Sequence, residues 1–169
     1  MNKCIIIAGY AGIGKTTLAK KYKNVYDIES SIYKWDNSEC ENIPIEQRKG
    51  TRRKQNPLWP QNYINEIQNK SRIYDILLVW IHPDILEIYD KYNISYIICY
   101  PEKEALKIYK QRFISRGNNK EYIDKVTDPK KFDIRTKQWN ENPSQKIILR
   151  GNQTLEDYLI KKGCQLIEK

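Results

Sequence analysis

Gly9-Tyr10-Ala11-Gly12-Ile13-Gly14-Lys15-Thr16-Thr17 decides how the rest of this chain is read. An apolar run, Cys4-Ile5-Ile6-Ile7-Ala8, precedes it, and a stretch of helical character, Leu18-Ala19-Lys20-Lys21-Tyr22, follows. Strand, glycine-rich loop and helix is the order that a phosphate-binding loop requires. Glycines at 9, 12 and 14 let main-chain N–H groups turn inward around an anion. The start of the helix adds unpaired N–H groups and the positive end of its dipole. Lys15 can reach the outer phosphates, and Thr16 can place its hydroxyl on Mg²⁺. Gly9, Gly12, Ile13, Gly14, Lys15, Thr16 and Thr17 are therefore the candidate nucleotide-binding residues.

Downstream, strands and helices alternate. Val25-Tyr26-Asp27-Ile28 reads as a second strand. Residues 37–57 form a polar excursion with room for one short helix, in which Arg48, Lys49, Arg52, Arg53 and Lys54 concentrate positive charge. That cluster reads equally as a solvated loop and as a phosphate or nucleic-acid contact. Pro60 suits the first turn of a helix running from Gln61 to about Lys70. Tyr74–Ile81 is nearly continuously apolar, as a parallel strand buried on both faces should be. A helix from Pro83 to about Tyr92, a strand Ile94–Tyr100 stopped by Pro101, and a helix Glu102–Arg116 capped by Gly117 follow. Residues 119–141 read as helical with a break near Asp128-Pro129, then a strand Lys146–Leu149 and a helix Leu155–Lys162 capped by Thr154. This alternation predicts one α/β domain over 1–169, a three-layer α/β/α sandwich with a five-stranded parallel sheet. Ligands of such sheets bind beyond the carboxyl ends of the strands.

Composition narrows the classes. The chain has 169 residues, a net charge of +9, four cysteines and one histidine. No apolar run approaches the ~20 residues that cross a bilayer, and the N-terminal run is too short for a signal peptide, so a cytoplasmic location is expected and no membrane partner. Cys4 and Cys99 lie in apolar runs and read as buried thiols; one histidine and no C-x-x-C pair argue against zinc. The positive charge favours phosphate-rich partners, nucleotide or nucleic acid.

Asp27, at the tip of the second strand, can take a proton from an attacking hydroxyl or bind Mg²⁺, directly or through water. Glu29 shares its direction if the strand persists, and otherwise both are turn and cap residues. Arg112 and Arg116, four apart on one helix, can bracket transferring phosphate oxygens. Ser31, Tyr33, Asn62 and Tyr63 are weaker candidates for the acceptor, and Trp35 and Trp59 for stacking on a base. His82 reads first as structural. The third strand ends without a carboxylate, and no Asn-Lys-x-Asp motif occurs. Both absences argue against a mechanical ATPase and a GTPase switch.

On Gly9–Thr17, Asp27-x-Glu29 and the Arg112/Arg116 pair, the chain resembles the small P-loop kinases: nucleoside monophosphate, shikimate- and gluconate-type, and polynucleotide kinases. It is also similar to a group of small bacterial and phage kinase-like proteins. Their Asp-x-[Asp/Glu]-Ser-Ser turn, Asn-Tyr-Ile helix and Arg-Gly-Asn segment correspond to Asp27–Ser31, Asn62–Ile64 and Arg116–Asn118. The resemblance implies the P-loop NTPase fold with strand order 2-3-1-4-5. It implies ATP·Mg²⁺ held by Lys15 and Thr16, and lid arginines Arg112 and Arg116 followed by a lid-like region over 116–141. The expected activity is ATP-dependent phosphoryl transfer to a small-molecule acceptor, first a nucleoside or nucleotide. The alternatives are a 5′-hydroxyl nucleic-acid end, and a nucleotide-binding module with little catalysis.

Overall fold

The computed structural model describes residues 4–48 and 52–169. Lys49 of the basic cluster lies outside them. The elements follow in the order β1 (Ile5–Gly9), α1 (Lys15–Lys21), β2 (Val25–Asp27), α2 (Ser30–Lys34), α3 (Ile45–Arg48), α4 (Gln61–Lys70), β3 (Ile76–Trp80), α5 (Pro83–Lys91), β4 (Ile97–Pro101), α6 (Leu106–Ser115), α7 (Lys120–Thr127), α8 (Pro129–Glu141), β5 (Lys146–Leu149) and α9 (Leu155–Lys161). The strands form one parallel sheet in the order β2-β3-β1-β4-β5, flanked by helices. The alternation and strand order expected from the sequence are both present.

The register sets which residues meet at the carboxyl edge. Gly9 lies opposite Trp80 and Cys99, and Asp27 opposite Leu78. The glycine loop, Asp27 and the end of β3 therefore open onto the same side. Burial explains why β1, β3 and β4 are central: Ile7, Leu77, Leu78, Val79, Ile98 and Cys99 are fully buried. Each large aliphatic chain so placed stabilises the fold by about 1.5–3 kcal/mol.

A second layer of core lies between the sheet and α6–α8. Tyr10, the residue after β1, meets Tyr109, Phe132 and Trp139 in edge-on contacts with centroids 5.6–6.3 Å apart. Trp139 Nε1 donates to the Ile81 carbonyl at 3.2 Å, so the buried indole keeps its polar atom satisfied. These rings clamp α8 to the sheet.

Two boundaries differ from expectation. Asn93 takes a left-handed conformation (φ 53°) and Ile94 N–H returns to the Tyr89 carbonyl, so α5 closes tightly and β4 starts only at Ile97. The helix expected from Glu102 begins as a 3₁₀ turn over Lys103–Ala105, and α6 proper starts at Leu106. The break at Asp128-Pro129 is present: Asp128 caps α8, its side chain accepting from Lys131 N–H at 3.0 Å. Among the described residues no helix is long and apolar enough to cross a membrane.

Candidate functional site

The glycine loop is anchored from below and turned by its own glycines. Ile13 is fully buried, and its carbonyl accepts from Leu155 N–H, at the start of α9, at 3.0 Å. Gly12 and Gly14 have φ of 82° and 99°, values that side-chain-bearing residues adopt at a cost. A Cβ on Gly9 would lie 2.6 Å from Ile13 Cδ1, and one on Gly12 would press on Phe113 and Tyr109 at 3.0–3.1 Å. The loop is thus a close-fitted main-chain turn that leads into α1. Lys15 folds over it, its ammonium donating to the carbonyl oxygens of Gly9 and Tyr10, each at 2.8 Å.

Thr16 and Asp27 come together as the sequence predicts: Thr16 Oγ1 donates to Asp27 Oδ2 at 2.7 Å. Glu29 caps α2, Oε1 accepting from Ser31 N–H at 3.3 Å, which fits the cap reading of that carboxylate. Beside this pair, at the β2 edge of the sheet, lies a cavity of about 360 Å³ whose lining includes Thr16, Asp27, Glu29, Lys20, Lys23 and Lys169. Among the described residues no group of three or more His, Cys, Asp or Glu is placed to hold a metal by itself.

The two arginines separate in role. Arg112 reaches the glycine loop, but its fork is taken by main chain and the Asn152 side chain: Nη1 donates to Gly12 O at 3.1 Å, and Nη2 to Asn152 O and Oδ1 at 2.9 and 2.7 Å. The guanidinium also lies 4.6 Å from the Tyr109 ring. Arg112 therefore buttresses the loop from behind. Arg116 ends α6 on an exposed turn closed as expected by Gly117, with Asn118 N–H bonded to Phe113 O and Gly117 N–H to Ile114 O.

Helices α7 and α8 lean over the same edge. The Tyr10 hydroxyl donates to the Val126 carbonyl, fixing α7 above the loop entrance. Burial raises the Tyr10 phenol well above its ordinary value, and the charge of Arg135 together with a hydrogen bond from it works in the opposite direction. Tyr122 is pushed up by burial and by the Glu29 carboxylate, with Arg116 and Arg135 opposing, so the cover faces the acidic end of α2.

Beyond β3 the side chains are aromatic and cationic. Trp80 stacks on His82 (5.0 Å, 27°) and meets Trp59 edge-on at 6.2 Å. The Lys34 ammonium lies 4.7 Å from Trp80, 5.2 Å from Trp35 and 5.6 Å from Trp59. Tyr63, a candidate for touching the acceptor, is fully buried instead. Its hydroxyl donates to Ile28 O at 3.3 Å and accepts from Trp80 N–H at 3.0 Å, tying the ends of β2 and β3 together. Asn62 likewise holds the Tyr33 carbonyl, at 2.8 Å. Both are struts because α4 turns its inner stripe to the sheet. In the basic excursion, Arg48 donates to the carbonyls of Glu41 and Ile43, and Arg53 to Asn37 Oδ1 at 2.9 Å, so part of the cluster shapes its own loop. All four cysteines are free; burial pushes the Cys4 thiol up to about 11 and the Cys99 thiol up to about 12.

No protein-family model matches the chain, and no curated protein matches it. A solved structure of a tunicamycin resistance protein from Deinococcus radiodurans is similar to it over 99% of each chain, with a TM-score of 0.56 and 17% identity. At that identity the likeness speaks for the fold alone.

Sequence reasoning passed over Lys34, Asn152 and Arg135. The neighbouring Lys34-Trp35 pair, with Trp59 and Trp80 at the ends of other segments, is a signal that could have found the first. Nothing local marks Asn152 or Arg135.

Proposed function

We propose that this chain is an ATP- and Mg²⁺-dependent phosphotransferase of the P-loop NTPase type, acting in the cytoplasm on a nucleoside or nucleotide. The observation that carries the reading is the 2.7 Å contact of Thr16 Oγ1 with Asp27 Oδ2 beside a glycine loop roofed by Lys15. Two hard oxygen donors suit Mg²⁺, which keeps several waters and takes its remaining ligands from phosphates. Bound here, ATP·Mg²⁺ would supply the γ-phosphoryl group for in-line transfer. Lys15 would exchange the carbonyls of Gly9 and Tyr10 for the phosphate chain. Asp27 would orient the acceptor hydroxyl or take its proton. Arg116, at the end of α6, would neutralise charge on the phosphate oxygens, while Arg112 would keep Gly12 in place.

A second reading, a 5′-hydroxyl nucleic-acid end as acceptor, is favoured by the lysine-lined cavity that adjoins Asp27 and by the net charge of +9. Such an enzyme should lose affinity steeply as salt rises, and a mononucleotide kinase much less.

The test is transfer from labelled ATP to nucleosides, nucleotides and 5′-hydroxyl oligonucleotides, with calorimetry of ATP·Mg²⁺ binding. Asp27→Asn should cut transfer by about 10²–10⁴-fold with ATP still bound, and Lys15→Ala should remove it. Unchanged activity in Asp27→Asn would favour a binding module with little catalysis. Absence of any heat with nucleoside triphosphates would overturn the reading altogether.

A further inference from the structure

The edge beyond β3 gathers more positive charge than it balances. Three indole rings, from Trp35, Trp59 and Trp80, fix the Lys34 ammonium within 4.7–5.6 Å of their centroids. Cations near indole faces are held electrostatically, so Lys34 is pre-positioned rather than trailing in solvent. His82 is stacked on Trp80 at 5.0 Å. Its Nδ1 is buried, 3.4 Å from Asp84 Oδ2, yet makes no hydrogen bond with any described residue. Asp84 is itself 85% exposed, where water weakens its hold.

Charges on the covering helices act here as well. Burial lowers the His82 pKa; Asp84 opposes this, and Lys34 of α2, Arg135 of α8 and Lys125 of α7 each add to it. Burial also lowers Lys34, with Asp84 opposing and Lys125 adding. Three formal cations from three helices thus act on one imidazole, and among the described residues the well-solvated Asp84 is the carboxylate that acts on it. The like charges repel, and α5 begins at this point with no side-chain cap on its first N–H groups. An oxyanion among these groups would remove the repulsion and draw α7 and α8 toward α2.

We propose that Lys34 and His82, both against Trp80, together with Lys125 and Arg135 of the covering helices, form a second anion site, separate from the glycine loop, that receives an oxyanion carried by the acceptor. Its occupant is a small molecule bearing a phosphate or carboxylate in addition to the hydroxyl to be phosphorylated, a nucleotide rather than a nucleoside. The word acceptor rests on the phosphotransferase reading; the anion site does not.

His82 is the only histidine in the chain, so its imidazole protons give one NMR titration to follow, with no nucleotide present. Inorganic phosphate is the probe, and acetate run in parallel tells a phosphate preference from a carboxylate one. Phosphate should move the His82 midpoint upward, because a bound anion favours the imidazolium. The same rise should persist in Lys15→Ala, whose glycine loop has lost its lysine. In Lys34→Met, and separately in Lys125→Met at an exposed position, the phosphate needed for half the rise should grow about tenfold. An identical His82 titration with and without either anion would overturn the site. So would a phosphate effect that disappears in Lys15→Ala, since that places the anion on the loop. A His82 response in a protein that gives no heat with ATP would keep the anion site and remove the phosphotransferase.

Discussion

The glycine loop and the basic excursion open from the same edge of one sheet, and they are held by opposite means. The loop is gripped by main chain and core: Ile13 is buried, its carbonyl is bonded to Leu155, and Gly12 is pinned by Arg112. The excursion is gathered at its neck, where Asp36 N–H bonds to Lys54 O and Asn56 N–H to Lys34 O, both at 2.9 Å, and Trp35 pairs with Gln55. Past that neck the described residues are held by short local turns over Asn37–Ile43 and Pro44–Arg48 and by side-chain contacts of Arg48, Arg53 and Asn37 on partly exposed surface. A site that must present donors at fixed positions to a polyphosphate needs the first kind of support. A surface that meets varied or bulky partners tolerates the second.

Three substitutions test this contrast. Gly12→Ala strikes the loop hardest, forcing a Cβ at φ 82° against Phe113 and Tyr109. It should cost about 3 kcal/mol in urea denaturation and abolish nucleotide binding. A midpoint like that of the parent would mean the loop is softer than its packing implies. Arg112→Met removes the charged bonds to Gly12 and Asn152 while keeping an apolar stem on Tyr109. About 2 kcal/mol of stability and a clear loss of ATP affinity should follow, read by denaturation and calorimetry on the same protein. Arg53→Gln, in the excursion, gives up one bond to Asn37 and its place 5.4 Å from the Trp35 ring. Its cost should stay under about 1 kcal/mol with ATP affinity intact. If Arg53→Gln proves as damaging as Arg112→Met, the two regions are not supported differently.

The same contrast separates what the sequence reveals from what it hides. Gly9–Thr17 is legible because the turn is written in consecutive residues whose spacing sets its shape. Asp27 is legible because a short strand after α1 has few places to end. The runs in β1, β3 and β5 are apolar enough to read directly. The cluster beyond β3 is harder, since Lys34, Trp59 and Trp80 belong to three separate segments and meet only through tertiary packing. Tyr63 and Arg112 were visible as residues, but their partners are main-chain atoms of distant elements, Ile28, Trp80, Gly12 and Asn152, which carry no sequence signal. Helix α2 escapes a propensity reading because it is five residues long and depends on the Glu29 cap.

The bond from Leu155 to Ile13 ties the glycine loop to a segment made much later in translation. Lys23 N–H bonded to Ile167 O, and Lys169 N–H to Lys21 O, do the same for the helix behind the loop. A ribosome delivers the glycine loop first and its clamp roughly ten seconds later, at ordinary elongation speeds. Throughout that interval the nascent chain carries the loop's residues without the brace that gives them their shape, so on the reading proposed above it cannot grip a triphosphate until α9 has been made.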